Sequence, residues 1–147
     1  MSRISLLASA IVVAAMIQPA FAQSEQPTWD NIEAIHGDAD GLFDLLEILQ
    51  DAVIAGDAET IAQHALYPLA VNDSDGNYDV ADADEFLDSF DIIFTQETQQ
   101  ALLEQTAGDL IVTSEGVGVG NGAIWLTNVC LDDACAETQW GILSINN

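Results

Sequence analysis

Past Arg3 the chain contains no lysine and no arginine, yet it carries 25 aspartate and glutamate residues along its length. Such a chain cannot build conventional salt bridges. Each carboxylate has to be held by water, by backbone donors, by His36 or His64, by the amino terminus or by dissolved cations, and the remaining self-repulsion opposes compaction. Screening lengths of about 8 Å at physiological salt shrink to about 3 Å near 1 M. Mobile cations are therefore the expected partners of this surface, and the composition reads as adaptation to saline surroundings. The sign of the charge also disfavours whole classes of ligand: nucleic acid, anionic lipid and phosphate-rich molecules are repelled, whereas a basic protein would be attracted.

High charge is one mark of disorder, but its companion, low hydrophobicity, is missing. Half of the residues are hydrophobic, 50% by count, and Phe, Trp and Ile recur throughout, so a folded domain is expected.

The first residues have the layout of a secretory signal: Arg3, an apolar run from Ile4 to Ile17, Pro19, then "PAFA" with Ala20 and Ala22 at the small-residue positions of a cleavage site. The run is shorter than the roughly 20 residues that span a bilayer. Cleavage after Ala22 would leave a single domain, residues 23–147, that is periplasmic or secreted and not held in a membrane. Its formal charge would move from −24 to −25 with the loss of Arg3.

Helical signals come first. Thr28 is placed to cap a short helix over "TWDNIEAIH". Leu42, Leu45, Leu46, Leu49 and Val53 then follow helical spacing, with Asp40, Asp44, Glu47 and Asp51 on the other side. Gly56 stops that helix, and Asp57 opens "DAETIAQHALY", which runs toward Pro68. Asp82 and Glu85 resemble a capping box ahead of a stripe made by Phe86, Leu87, Phe90, Ile93 and Phe94. Thr95 caps a helix through Leu103. After Gly108 the pattern changes to strand-like runs, "DLIVTS", "GAIWLTNVC" and "CAETQWGILSIN". Helices followed by strands predict an α+β fold, N-terminal helices packed on a curved antiparallel β-sheet.

Cys130 and Cys135 enclose "LDDA" between two strands and are expected to be oxidised in an exported protein. If they face each other across a hairpin, Trp125 lies opposite Trp140 and Thr127 opposite Thr138. The tryptophan pair then either stabilises the sheet or lines a ligand pocket. The glycines at 116, 118, 120 and 122 run into a strand with no lysine nearby, so they read as a tight turn with a bulge and not as a phosphate loop.

"VNDSDGNYDVADADEF" places Asp73, Asp75, Asn77 and Asp79 at alternate positions, as a calcium loop would. Started at Asp73, the loop puts Tyr78 where glycine is required; started at Val71, it puts valine where the first carboxylate belongs. A turn through "SDGN" between two strands explains the same residues, with loose attraction of divalent cations. No cofactor is implied. His64 and Tyr67, three residues apart on an expected helix face, form a conceivable acid/base set in which nearby carboxylates are expected to raise the imidazole pKa; a buried carboxylate such as Asp91 is the alternative acid/base group.

At "YPLAV" (67–71), "EFLDSFDIIFT" (85–95), "GVGVGNGAIW" (116–125) and "GILSIN" (141–146) the chain resembles small exported bacterial proteins with the nuclear-transport-factor-2-like, or cystatin-like, fold. The resemblance implies a cone-like sheet wrapped on helices around an internal pocket, and pairing of two copies through the sheet. Enzymes of that fold include ketosteroid isomerase, limonene epoxide hydrolase and scytalone dehydratase, but none of their catalytic residues aligns onto this chain. Fold transfers and chemistry does not. The first expectation is a non-enzymatic exported domain that binds a small apolar ligand or a protein partner. The alternatives are an isomerase- or dehydratase-type enzyme, and an acidic inhibitor or immunity-type protein against a basic extracellular target.

Overall fold

The computed structural model describes residues 22–147; the signal-like leader, residues 1–22, lies outside them except for its last residue, Ala22. Helix α1 (Ala22–His36) is followed by α2 (Ala39–Ala55) and α3 (Ala58–Gln63). The hairpin β1 (Ala65–Asp73) and β2 (Gly76–Val80) leads to α4 (Ala83–Asp88), α5 (Phe90–Ile93) and α6 (Gln96–Glu104). A 3-10 turn at Ala107–Asp109 precedes β3 (Ile111–Val112), β4 (Val117–Val119), β5 (Ile124–Cys130) and β6 (Thr138–Asn146).

The helix signals act largely as their chemistry dictates. The Asp38 carboxylate accepts the Gly41 N–H at 3.0 Å and opens α2, which buries Leu42, Leu45, Leu46 and Leu49. Each such leucine contributes about 1.5–3 kcal/mol through the area it removes from water, outweighing like-charge spacings on the exposed face that cost only tenths. Gly56 ends α2 in the left-handed region, φ 68°, and its N–H returns to the helix. Asp82 accepts the Glu85 N–H at 3.0 Å, while the Glu85 side chain reaches back to the N–H of Ala81, one residue before the cap. Three boundaries differ from expectation, one of them the end of α3, which stops at Gln63 and gives way to strand β1 at Ala65. Thr28 lies inside α1, not at its start. The run from Asp82 to Phe94 is broken at Ser89 into α4 and α5, which lets Phe86, Ile93 and Phe94 all be buried.

The six strands form one curved, unclosed sheet in the order β2-β1-β6-β5-β4-β3. The expectation of a purely antiparallel sheet is corrected: β1 and β6 pair in parallel, and the sheet is mixed. Its buried face is a continuous row, Val112–Val117–Leu126–Ile142–Ala65, in which each residue opposes the next. The opposite face carries Ile111–Gly118–Trp125–Ser144–Ala70–Asp79 in register. Gly118 leaves room for the Trp125 ring, since a Cβ would sit 3.3 Å from that ring and 3.2 Å from Ile111, close enough that one of them would have to shift by a few tenths of an ångström.

The β5–β6 register explains where the second strand's aromatics go. Cys130 pairs with Thr138 and Asn128 with Trp140, and Trp125 faces Ser144. The expected Trp125–Trp140 and Thr127–Thr138 pairs are therefore not formed. The slip arises because the turn is longer than two facing cysteines would allow: Leu131 donates its N–H to the Glu137 carbonyl at 2.8 Å, and the Asp132 carboxylate accepts the N–H groups of Ala136 and Glu137. A slip of three residues is odd, so it turns Trp140 onto the buried face. An irregularity between Trp125 and Leu126 leaves Leu143 as the extra residue, and Ile142 and Ile145, three apart, both point inward.

The disulfide forms as expected between Cys130 and Cys135. It closes the acidic loop rather than bridging two paired strand positions.

Candidate functional site

The interior holds little chemistry. Phe86, Phe94, Leu49, Leu126 and Ile142 are among the largest fully buried side chains, and Trp140 is 4% exposed beside them. Among the described residues Thr98 is the buried polar side chain, and no ionisable one is buried. Thr98 is satisfied, its hydroxyl donating to the Asn147 side chain at 2.9 Å.

The acid/base set expected from sequence is not assembled. Helix α3 stops at Gln63, so His64 is its C-terminal cap while Tyr67 belongs to β1; they do not share a helix face. Burial pushes the His64 imidazole below its ordinary pKa, and its ring makes no hydrogen bond among the described residues. The Tyr67 hydroxyl donates to the Ala62 carbonyl at 2.9 Å. Burial, with the Asp82 carboxylate adding to it, pushes that phenol up to about 12, so it holds its proton at any physiological pH. Asp91 is exposed on α5, which removes the premise of a desolvated carboxylate there.

The acidic hairpin tip is a turn. Asp73 pairs with Gly76, Asn77 with Asn72 and Asp79 with Ala70, and Asp75 donates its N–H to the Asp73 carboxylate. Among the described residues no group of three or more His, Cys, Asp or Glu side chains is arranged to hold a metal ion. Trp125 is half-buried on the uncovered face of the sheet, and Trp140 lies in the core, so the two do not line one pocket.

The corner between α1 and α2 concentrates polar contacts instead. Glu33 accepts the Ala39 N–H at 2.9 Å across the turn made by Gly37 and Asp38. His36, at the end of α1, donates from Nε2 to the Thr113 carbonyl at 2.9 Å and packs edge-on against Trp140, ring centroids 5.1 Å apart. The Trp140 indole donates to the Asp38 carbonyl at 2.8 Å. Asn128 donates to the His36 carbonyl at 3.4 Å, and its own Oδ1 is buried without a partner.

Beyond that corner a surface cleft of about 390 Å³ opens between α1, α2 and the 3-10 turn, lined by Glu25, Gln26, Trp29, Phe43 and Ala107. Glu25, Gln26 and Trp29 share one face of α1 through spacings of three and four. The Trp29 indole donates to Asp40 Oδ1 at 3.0 Å, and the Gln26 amide donates to Asp30 Oδ1 at 2.8 Å. Both lining side chains are thus tethered by carboxylates, and no lysine or arginine is available among the described residues to neutralise them. Sequence reading missed this site because it began the first helix at Thr28. The periodic signal of Glu25, Trp29 and Ile32 was there to find, but Pro27 hides it, since proline in a helix interior ordinarily ends the helix.

Among the described residues no helix is long and apolar enough to cross a membrane. Comparison with protein-family models, with curated proteins and with solved structures found no match.

Proposed function

We propose that this chain is an exported, non-enzymatic binding domain of nuclear-transport-factor-2-like architecture that meets its ligand or partner at its outer surface. One observation carries the reading: the space between helices and sheet is occupied by the protein's own side chains, and among the described residues no ionisable group is buried there. An acid/base enzyme of the isomerase or dehydratase type needs a desolvated titratable group facing a reachable cavity. His64 and Tyr67 are only half-buried and Asp91 is exposed. The architecture is supported by the order of elements and by helices covering one face of a curved sheet. Export is supported by the Cys130–Cys135 disulfide together with the signal-like leader.

The test is to titrate the protein with indole and with benzene and follow the methyl resonances of Leu49, Leu126 and Ile142. Unmoved interior methyls are expected. Saturable shifts confined to those methyls would overturn the surface reading and move the function into the cone.

A further inference from the structure

We propose that the cleft formed by Trp29, Phe43 and Glu25 is a binding site for a small organic ammonium ion. The inference rests on the reading of the chain as a surface binder and gives that surface a place and a ligand class.

Three features point the same way. The cleft has two half-buried aromatic side chains that the core does not fully cover, and its volume of about 390 Å³ lies in the range of about 300–1,000 Å³ usual for small-molecule sites. The Trp29 indole is tied through its N–H to the Asp40 carboxylate. That bond fixes the ring in place and, by drawing its proton toward an anion, leaves the π face richer in electron density, the property that attracts a cation. The third feature is charge. Glu25 lines the cleft, and Asp30 and Asp40 bond the lining Gln26 and Trp29, so one carboxylate faces the cleft and two more stand behind its walls, with no lysine or arginine among the described residues to neutralise them. A neutral apolar ligand would use the rings and gain nothing from this field. An inorganic cation would use the field and gain little from the rings. An alkylated ammonium ion uses both, because its methyl groups pack on aromatic faces while its charge is spread toward the carboxylates. Gln26, whose amide N–H is committed to Asp30, keeps its Oε1 available to a hydroxyl donor on such a ligand.

The experiment uses choline and its uncharged carbon isostere, 3,3-dimethyl-1-butanol, at constant ionic strength. Binding is followed through the indole N–H resonance of Trp29, assigned by its loss in Trp29→Leu. Choline should shift that resonance saturably and bind about tenfold more tightly than the isostere. Trp29→Leu, checked for retained helical circular dichroism, should abolish choline binding measured by calorimetry. Glu25→Gln, at an exposed position that contributes nothing to the core, should weaken it severalfold. Equal binding of the isostere would overturn the proposal in favour of a simple apolar pocket, and absence of any choline response would overturn it outright. Neither result touches the interior methyls probed with indole and benzene, so the two readings can fall separately.

Discussion

Trp140 and Trp29 reach the start of α2 from different elements, β6 and α1, and each donates its indole N–H there, one to the Asp38 carbonyl and the other to the Asp40 carboxylate. The polar ends of the two side chains do nearly the same thing. Their rings do not: Trp140 is closed in by the core and by His36, whereas Trp29 is half-buried at a cleft. A tryptophan's hydrogen bond says where it is anchored, and only the surroundings of its ring say whether it is structural or available.

If that division is right, truncating the two rings should have very different consequences. Trp140→Ala should destabilise the fold by about 3–5 kcal/mol, the range for a large core aromatic, seen as a lower urea midpoint. A loss near 1 kcal/mol would mean the ring is not part of the core. Trp140→Phe keeps most of the ring and removes the N–H, so it should cost about 1 kcal/mol, the net value of one hydrogen bond. The same change at Trp29 removes a contact at an exposed carboxylate and should stay within about 0.5 kcal/mol. Were Trp29→Phe as costly as Trp140→Phe, the contrast would collapse.

The two histidines repeat the contrast on a smaller scale and supply a pH test. His36 is held by the Thr113 carbonyl and packs on Trp140, while the His64 ring has burial without a hydrogen bond among the described residues. Because burial lowers the His64 pKa below 6.5, the unfolded chain takes up its proton first as pH falls. The stabilising effect of the neutral ring is complete above pH 6.5 and is lost as pH drops below it, ceasing to change once the folded form is itself protonated. His64→Gln should flatten that part of the stability profile, a small change visible in chemical denaturation at pH 7 and about pH 5. An unchanged slope in the variant would assign the acid sensitivity to other groups.

Much of the fold is legible from local chemistry. The leucine stripe of α2, the Gly56 stop, the Asp57, Asp82 and Thr95 caps, and the disulfide all follow from spacing and side-chain type. What could not be read is decided over longer range. The parallel β1–β6 pair joins residues as far apart in sequence as Asn72 and Asn146, and no local signal encodes it. The β5–β6 register depends on how Asp132 folds its loop, and symmetry between Cys130 and Cys135 suggested a simpler turn than the one that forms. At the cleft, Trp29 and Phe43 carry the periodicity of ordinary core residues; only packing reveals that α1, α2 and the 3-10 turn leave space between them.

The position of β6 in the middle of the sheet has a consequence for biogenesis. A ribosome delivers the six strands in numerical order, so the β1–β2 hairpin and the β3–β4–β5 meander both exist before the strand that joins them. Until β6 emerges the two halves have no common neighbour, and the final closure spans a long loop whose entropy slows it. Were the chain exported as proposed, a translocation channel that passes only unfolded polypeptide would meet it still open.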